Sequence, residues 1–141
     1  MEALEAIAEH RRAIYERYGH HLQPLEAKGL VRLPQIPADC ASNYHLFYIL
    51  LNDMETRDAL RVHLAQNGIQ AFFHYIPLHS SPMGKKFGYQ ASDLPLTEEL
   101  SGRLLRLPFY CDVTEEEQVY IVQHIANFLE HVPVKRVHTV K

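Results

Sequence analysis

Cysteine is scarce in this chain. Cys40 and Cys111 stand far apart and outside any paired motif. Two lone thiols point to free cysteines in a reducing, cytoplasmic setting rather than a disulfide framework. Charge of one sign is also missing. The formal net charge is -3, and Lys and Arg run no longer than the pairs Arg11-Arg12 and Lys85-Lys86. That balance argues against a nucleic-acid or anionic-membrane surface. The strongest apolar run, near 46–51, falls far below the roughly 18 residues a spanning helix needs. The opening Met1-Glu2-Ala3-Leu4-Glu5 is acidic and helical, unlike a signal or transit peptide. No glycine-rich phosphate loop is present. Ser80-Ser81 beside His79 lacks a nucleophile-elbow context, and Cys111 has only its place before the last helix to suggest thiol chemistry.

What remains is a chain able to build one core. It has 141 residues, of which 47% are apolar and 22% charged, as a single soluble domain or a piece of one requires. Leu4, Ile7, Ala8, Ile14, Tyr15, Tyr18 and Leu22 recur at helical spacing and predict a helix over 2–23. No capping residue precedes it, so it reads as cut rather than begun. Pro24, Gly29, Pro34 and Pro37 then predict extended loop, with at most a short strand at 30–33.

The aromatic and branched run at 43–51 predicts a strand, and its continuous apolarity predicts a central one. Asp53 can cap a helix over 54–66 that stops at Asn67-Gly68. A second strand is expected at 69–75 and a loop at 77–95. A short helix at 97–102 and a third strand at 104–107 follow. Thr114 with Glu117 forms a capping box for a last helix reaching Glu130. This order predicts an α+β two-layer sandwich, a small antiparallel or mixed sheet of about three strands packed by helices.

The segment Phe73-His74-Tyr75-Ile76-Pro77-Leu78-His79 is where chemistry concentrates. A short strand there delivers two imidazoles and a phenol onto a proline-held loop. His74 and His79 can hydrogen-bond a hydroxyl or phosphate near neutral pH, or fix the loop through backbone carbonyls. Tyr75 can stack at a pocket or close the end of the strand. Lys85, with Lys86, can meet a diphosphate or stay solvated. The other histidines, His10, His20, His21, His63, His124, His131 and His138, read as surface scatter. No Cys, Asp or Glu near His74 and His79 completes a metal site.

Several of these stretches together resemble one family. They are Arg11-Arg12 with Tyr15-Glu16-Arg17-Tyr18, Asn43-Tyr44-His45-Leu46-Phe47-Tyr48, and Leu64-Ala65-Gln66-Asn67-Gly68-Ile69 followed by His74-Tyr75-Ile76-Pro77-Leu78-His79. Leu104-Leu105-Arg106-Leu107-Pro108 followed by Val113-Thr114-Glu115-Glu116-Glu117 completes the set. The chain resembles the C-terminal small domain of the sugar aminotransferases dependent on pyridoxal phosphate, the DegT/DnrJ/EryC1/StrS family. Ser80-Ser81-Pro82-Met83-Gly84-Lys85-Lys86-Phe87-Gly88 is similar to the subgroup that aminates TDP-4-keto-6-deoxyglucose.

The resemblance implies the small domain of an aspartate-aminotransferase-type fold over 1–131, followed by a flexible tail at 132–141. It implies glutamate as amino donor, a sugar nucleotide as substrate, a homodimer, and His74, Tyr75, His79 and Lys85 as substrate contacts. The family's large domain holds the Schiff-base lysine and the phosphate-binding residues. Lys28, Lys85, Lys86, Lys135 and Lys141 do not sit in a context resembling that lysine's motif. The expectation is therefore a C-terminal fragment, inactive alone, with no cofactor bound to it. The alternatives are a free-standing nucleotide-sugar-binding module and a partner subunit for a separately encoded large domain.

Overall fold

The computed structural model describes residues 2–131. Helix α1 spans Glu2–Ala27 and runs through Pro24 instead of stopping before it. A proline there removes one backbone hydrogen bond. Leu22 and Leu25, both buried, carry the apolar stripe past it. The chain closes at Gly29, whose φ of 70° suits a residue without Cβ. Gly29 N–H donates to the Glu26 carbonyl (2.8 Å) and Leu30 N–H to that of Leu25 (3.0 Å). That pairing satisfies carbonyls the helix end would otherwise orphan. Toward the other end Ile7 and Ala8 are exposed, and among the described side chains Ile14 is the first that is buried.

Strand β1 covers Tyr48–Leu50, three residues where nine were expected. Tyr44 adopts a φ of 47°, which ends extended geometry on its N-terminal side. The sheet order is β1-β3-β2, with β3 at Leu104–Arg106 and β2 at Phe72–Phe73. Both pairings are antiparallel. The central place thus belongs to β3, not to the apolar run of β1. That run is shielded differently: Arg32 pairs with Leu50 through reciprocal bonds of 2.9 and 3.0 Å and covers its outer edge. The short strand expected at 30–33 is this single bridge.

Strand β2 is likewise shorter than its expected 69–75. Its partner β3 emerges directly from helix α4, Pro95–Arg103, and leaves little ladder to extend.

Helix α2, Met54–Gln66, matches its expected bounds. Asp53 Oδ1 accepts from Thr56 N–H at 2.7 Å. Helix α3, Pro82–Lys86, and a 3-10 turn at Ala91–Asp93 lie in the expected loop. Ser81 caps α3, and Pro82 stands at its first position, where its missing N–H costs nothing.

Helix α5 spans Glu115–His131. Thr114 Oγ1 accepts from Glu117 N–H at 3.2 Å, and Glu117 Oε2 accepts from Thr114 N–H at 2.9 Å. Helix α1 packs on α5, α5 on α2, and α2 on β3. Ile14, Tyr18, Phe47, Leu60, Leu105 and Ile125 meet in the core. The result is an α+β fold with a small, open antiparallel sheet. The expected tail, with His138, Lys135 and Lys141, lies outside the described residues.

Candidate ligand-binding site

Paired residues of an antiparallel sheet share a face. Tyr48, Arg106 and Phe72 form one row across the three strands, and Ile49, Leu105 and Phe73 form the next, on the other face. Ile49 and Leu105 are fully buried. Arg106 therefore stands on the side away from them.

After Phe73 the chain leaves the sheet. Ser80 Oγ donates to the Pro77 carbonyl (3.2 Å) and Ser81 Oγ to that of Leu78 (2.6 Å). Gly84 packs so closely beneath this turn that a Cβ there would lie 2.3 Å from the Leu78 oxygen and 2.4 Å from that of His79. The turn and α3 hold each other by backbone contact.

The four expected contact residues fall into different environments. His74 is half-buried, its ring 4.8 Å from that of Tyr75, and its Nδ1 is enclosed without a partner among the described residues. Burial first, then the charges of Arg106 and His45, pushes its pKa below the usual imidazole range. Tyr75 is 75% exposed, and the Arg106 guanidinium lies 5.8 Å from its ring centre. His79 is only 7% exposed. Its Nε2 sits 3.0 Å from Glu98 Oε1 on α4, without the geometry of a hydrogen bond. The loop-fixing reading of His79 so gains a partner, a carboxylate rather than the backbone carbonyl expected. Lys85 and Lys86 are exposed on α3.

None of these four lines the main groove, a cleft of about 680 Å³. That groove is bounded by His45, Gln70, Phe72, Arg106, Tyr110, Glu117 and Tyr120, among others. Tyr120 Oη donates to the Asn67 carbonyl at 3.3 Å. Burial and the neighbouring Glu117 carboxylate push the Tyr110 phenol up from its ordinary pKa. Sequence reading had not singled out Arg106 as a site residue. Its signal was a lone cation between Leu105 and Leu107, which alternation turns away from the core. The remaining walls come from separate segments, and no local spacing announces them.

Among the described residues no cluster of three or more His, Cys, Asp or Glu is placed to hold a metal ion. Among them also, no helix is long and apolar enough to cross a membrane. Pyridoxal phosphate would need an amine to form an imine and donors around its phosphate. Lys28 is paired with Glu130, and Lys85 and Lys86 stand exposed away from the groove. The described residues do not fit that cofactor by themselves.

The profile of the DegT/DnrJ/EryC1/StrS aminotransferase family matches residues 1–126. The chain is 34% identical over 116 residues to the UDP-N-acetyl-3-dehydro-alpha-D-glucosamine 3-aminotransferase of Acidithiobacillus ferrooxidans, covering 81% of this chain and 29% of that protein. It is 33% identical over 96 residues to a pleiotropic regulatory protein of Geobacillus stearothermophilus, covering 67% of this chain and 26% of that one. The crystal structure of a DegT DnrJ EryC1 StrS aminotransferase from Brucella abortus superposes with a TM-score of 0.71 at 31% identity, over 86% of this chain and 31% of that one. The chain spans less than a third of the length of each of these proteins.

Proposed function

Because this chain belongs to the DegT/DnrJ/EryC1/StrS aminotransferase family, we propose that it forms the small domain of a sugar-nucleotide aminotransferase dependent on pyridoxal phosphate. In this reading residues 1–131 are the domain and 132–141 a tail. The observation that carries it is the exposed aromatic surface of Phe72, Phe73 and Tyr75, presented from a sheet edge beside the groove. The whole enzyme converts TDP-4-keto-6-deoxyglucose to TDP-4-amino-4,6-dideoxygalactose, with glutamate as donor, in the cytoplasm. The resemblance of Ser80–Gly88 to that subgroup supports this substrate.

The chain's own residues bind and orient. Tyr75, exposed and backed by Arg106, offers a flat face for a sugar or base. His74, held neutral, can donate or accept one hydrogen bond at a sugar hydroxyl. Lys85 adds a positive charge for a phosphate. His79 braces the loop through Glu98. Imine chemistry belongs to residues outside these 141.

Phe72, Phe73, Ile76 and Leu78 leave a large apolar surface uncovered. Such patches favour association, and the whole enzyme is a homodimer in this reading. Sedimentation velocity on the 141-residue chain should show a dimer or larger species at high concentration; a strictly monomeric profile counts against it.

Calorimetric titration with a TDP-sugar tests the binding role. Saturable binding that weakens in Tyr75→Ala and His74→Ala is expected. Binding unchanged by both substitutions, or no binding at all, would remove this surface from substrate recognition.

A further inference from the structure

The span 74–78 is exposed at Tyr75, Ile76 and Leu78, so packing of these side chains does not hold it. Its two ends decide where it lies. One end is β2, where Phe73 pairs with Leu105 of the central strand. The other is the turn at 77–81. Among the described residues, the hydrogen bonds of that turn and of α3 after it close within 77–89. Gly84 lies against the backbone of the turn, and Met83 on α3 and Phe87 at its end are exposed. Turn and α3 therefore form one small lobe.

Among the described residues a single polar contact joins this lobe to the rest of the fold, that of His79 with Glu98. His79 Nε2 and Glu98 Oε1 stand 3.0 Å apart, both enclosed, and neither has a hydrogen-bond partner elsewhere among the described residues. Two bare lone pairs at that distance repel, and no water screens them in an enclosure. A proton on Nε2 makes the contact attractive, and the neutral ring then keeps its lone pair on Nδ1.

Glu98 is itself firmly placed. It lies in the first turn of α4, and its N–H donates to the Leu94 carbonyl at 3.2 Å. Helix α4 runs straight into β3. At that junction Arg103 Nε donates to the Leu51 carbonyl at 2.7 Å, and Leu51 N–H donates to the Arg103 carbonyl at 3.0 Å. Leu51 is wholly buried. Both ends of the 74–78 span thus lead to the same central strand.

We propose that Glu98 is the positioning residue of this surface: it keeps the His79 proton on Nε2 and, through His79, clasps the lobe and the 74–78 span to α4. Glu98 touches no ligand in this role. Where His74 and Tyr75 receive a sugar nucleotide, which rests on the function proposed above, its loss weakens binding from a distance. The clasp itself stands without that reading.

The experiment uses the full 141-residue chain at neutral pH. Histidine-selective nitrogen NMR reads the tautomer, and hydrogen exchange reads the lobe. In the unsubstituted chain His79 should carry a proton on Nε2. Glu98→Gln keeps the shape and removes the charge. Its amide can pair with either tautomer, so the His79 signals should move toward a mixture. Exchange across 77–88 should quicken by about tenfold, the scale of a lost charge-assisted contact, with α2 and α5 unchanged. His79→Phe should quicken it to a similar degree, and it keeps the test decisive if Glu98→Gln fails to fold. The two effects should not add in the double variant, because either change removes the same contact. A His79 proton on Nδ1 alone, or unchanged exchange across 77–88 in the folded variants, would overturn the clasp. Titration with a TDP-sugar tests the positioning role. Several-fold weaker binding by Glu98→Gln supports it, and unchanged binding while the lobe loosens overturns it. No binding by the unsubstituted chain sinks the sugar-contact reading alone, and tautomer and exchange then decide the clasp.

Discussion

Replacing Gly84 by alanine puts a methyl group where two carbonyl oxygens already stand. The added Cβ would meet Leu78 O at 2.3 Å and His79 O at 2.4 Å. Both are backbone atoms, so no side chain can rotate away. Helix propensity alone favours alanine by about 1 kcal/mol. Overpacking of this kind costs about 1–3 kcal/mol or more, and the contact here is far inside van der Waals range. The clash should win, because the contact stands at the upper end of that range, leaving a net loss of about 2 kcal/mol. For a chain of this length that lowers Tm by about 4–8 °C. The loss should also be local, because α3 must move off the 77–81 turn and carry His79 away from Glu98. Calorimetry with hydrogen exchange measures both: faster exchange is expected across 77–88, with little change in α2 or α5. An unchanged or higher Tm together with unchanged exchange in 77–88 would refute the reasoning.

Tyr18→Phe removes the buried hydroxyl that donates to Pro108 O at 2.9 Å. Unfolding in urea should show a loss of about 1–2 kcal/mol, most of it from the carbonyl left behind; no loss would mean water replaces the hydroxyl. His74 sets a pH dependence. Burial and its cationic neighbours depress its folded pKa, so between that value and about 6.5 the unfolded chain binds more protons. Stability from this group is complete above about pH 6.5 and is lost as pH falls through that window. His74→Gln should flatten this part of the thermal-stability profile, and parallel profiles for the two proteins would argue against it.

The elements legible in the sequence are those with chemical punctuation. Asp53 and Asn67-Gly68 bound α2, and Thr114 with Glu117 starts α5, as expected. Pro24 misled at the end of α1 because burial of Leu25 and the cap at Gly29 decide where that helix stops. Strand lengths were not legible, since they depend on how far a partner extends. The apolar run of β1 resembled a central strand because Arg32 shields its edge, a contact no local pattern encodes. The site shows the same division. The segment 73–79 was visible as a dense run of functional side chains. The groove was not, because His45, Gln70, Arg106 and Glu117 come from four separate stretches and meet only in the fold. The partner of His79, Glu98, lay in the short helix expected at 97–102, where no local pattern shows that it reaches back to the 77–81 turn.

The most direct test of the central claim is a turnover assay on the 141-residue chain. It would be incubated with pyridoxal phosphate, glutamate and TDP-4-keto-6-deoxyglucose, and the products resolved by mass spectrometry. No amino sugar is expected, because Lys28, Lys85 and Lys86, the lysines among the described residues, stand on the surface and none faces the groove. Adding a separately expressed pyridoxal-phosphate-binding large domain of the same family should restore formation of TDP-4-amino-4,6-dideoxygalactose. Formation of the amino sugar by the chain alone would contradict the account, since it would place the imine-forming amine within these residues.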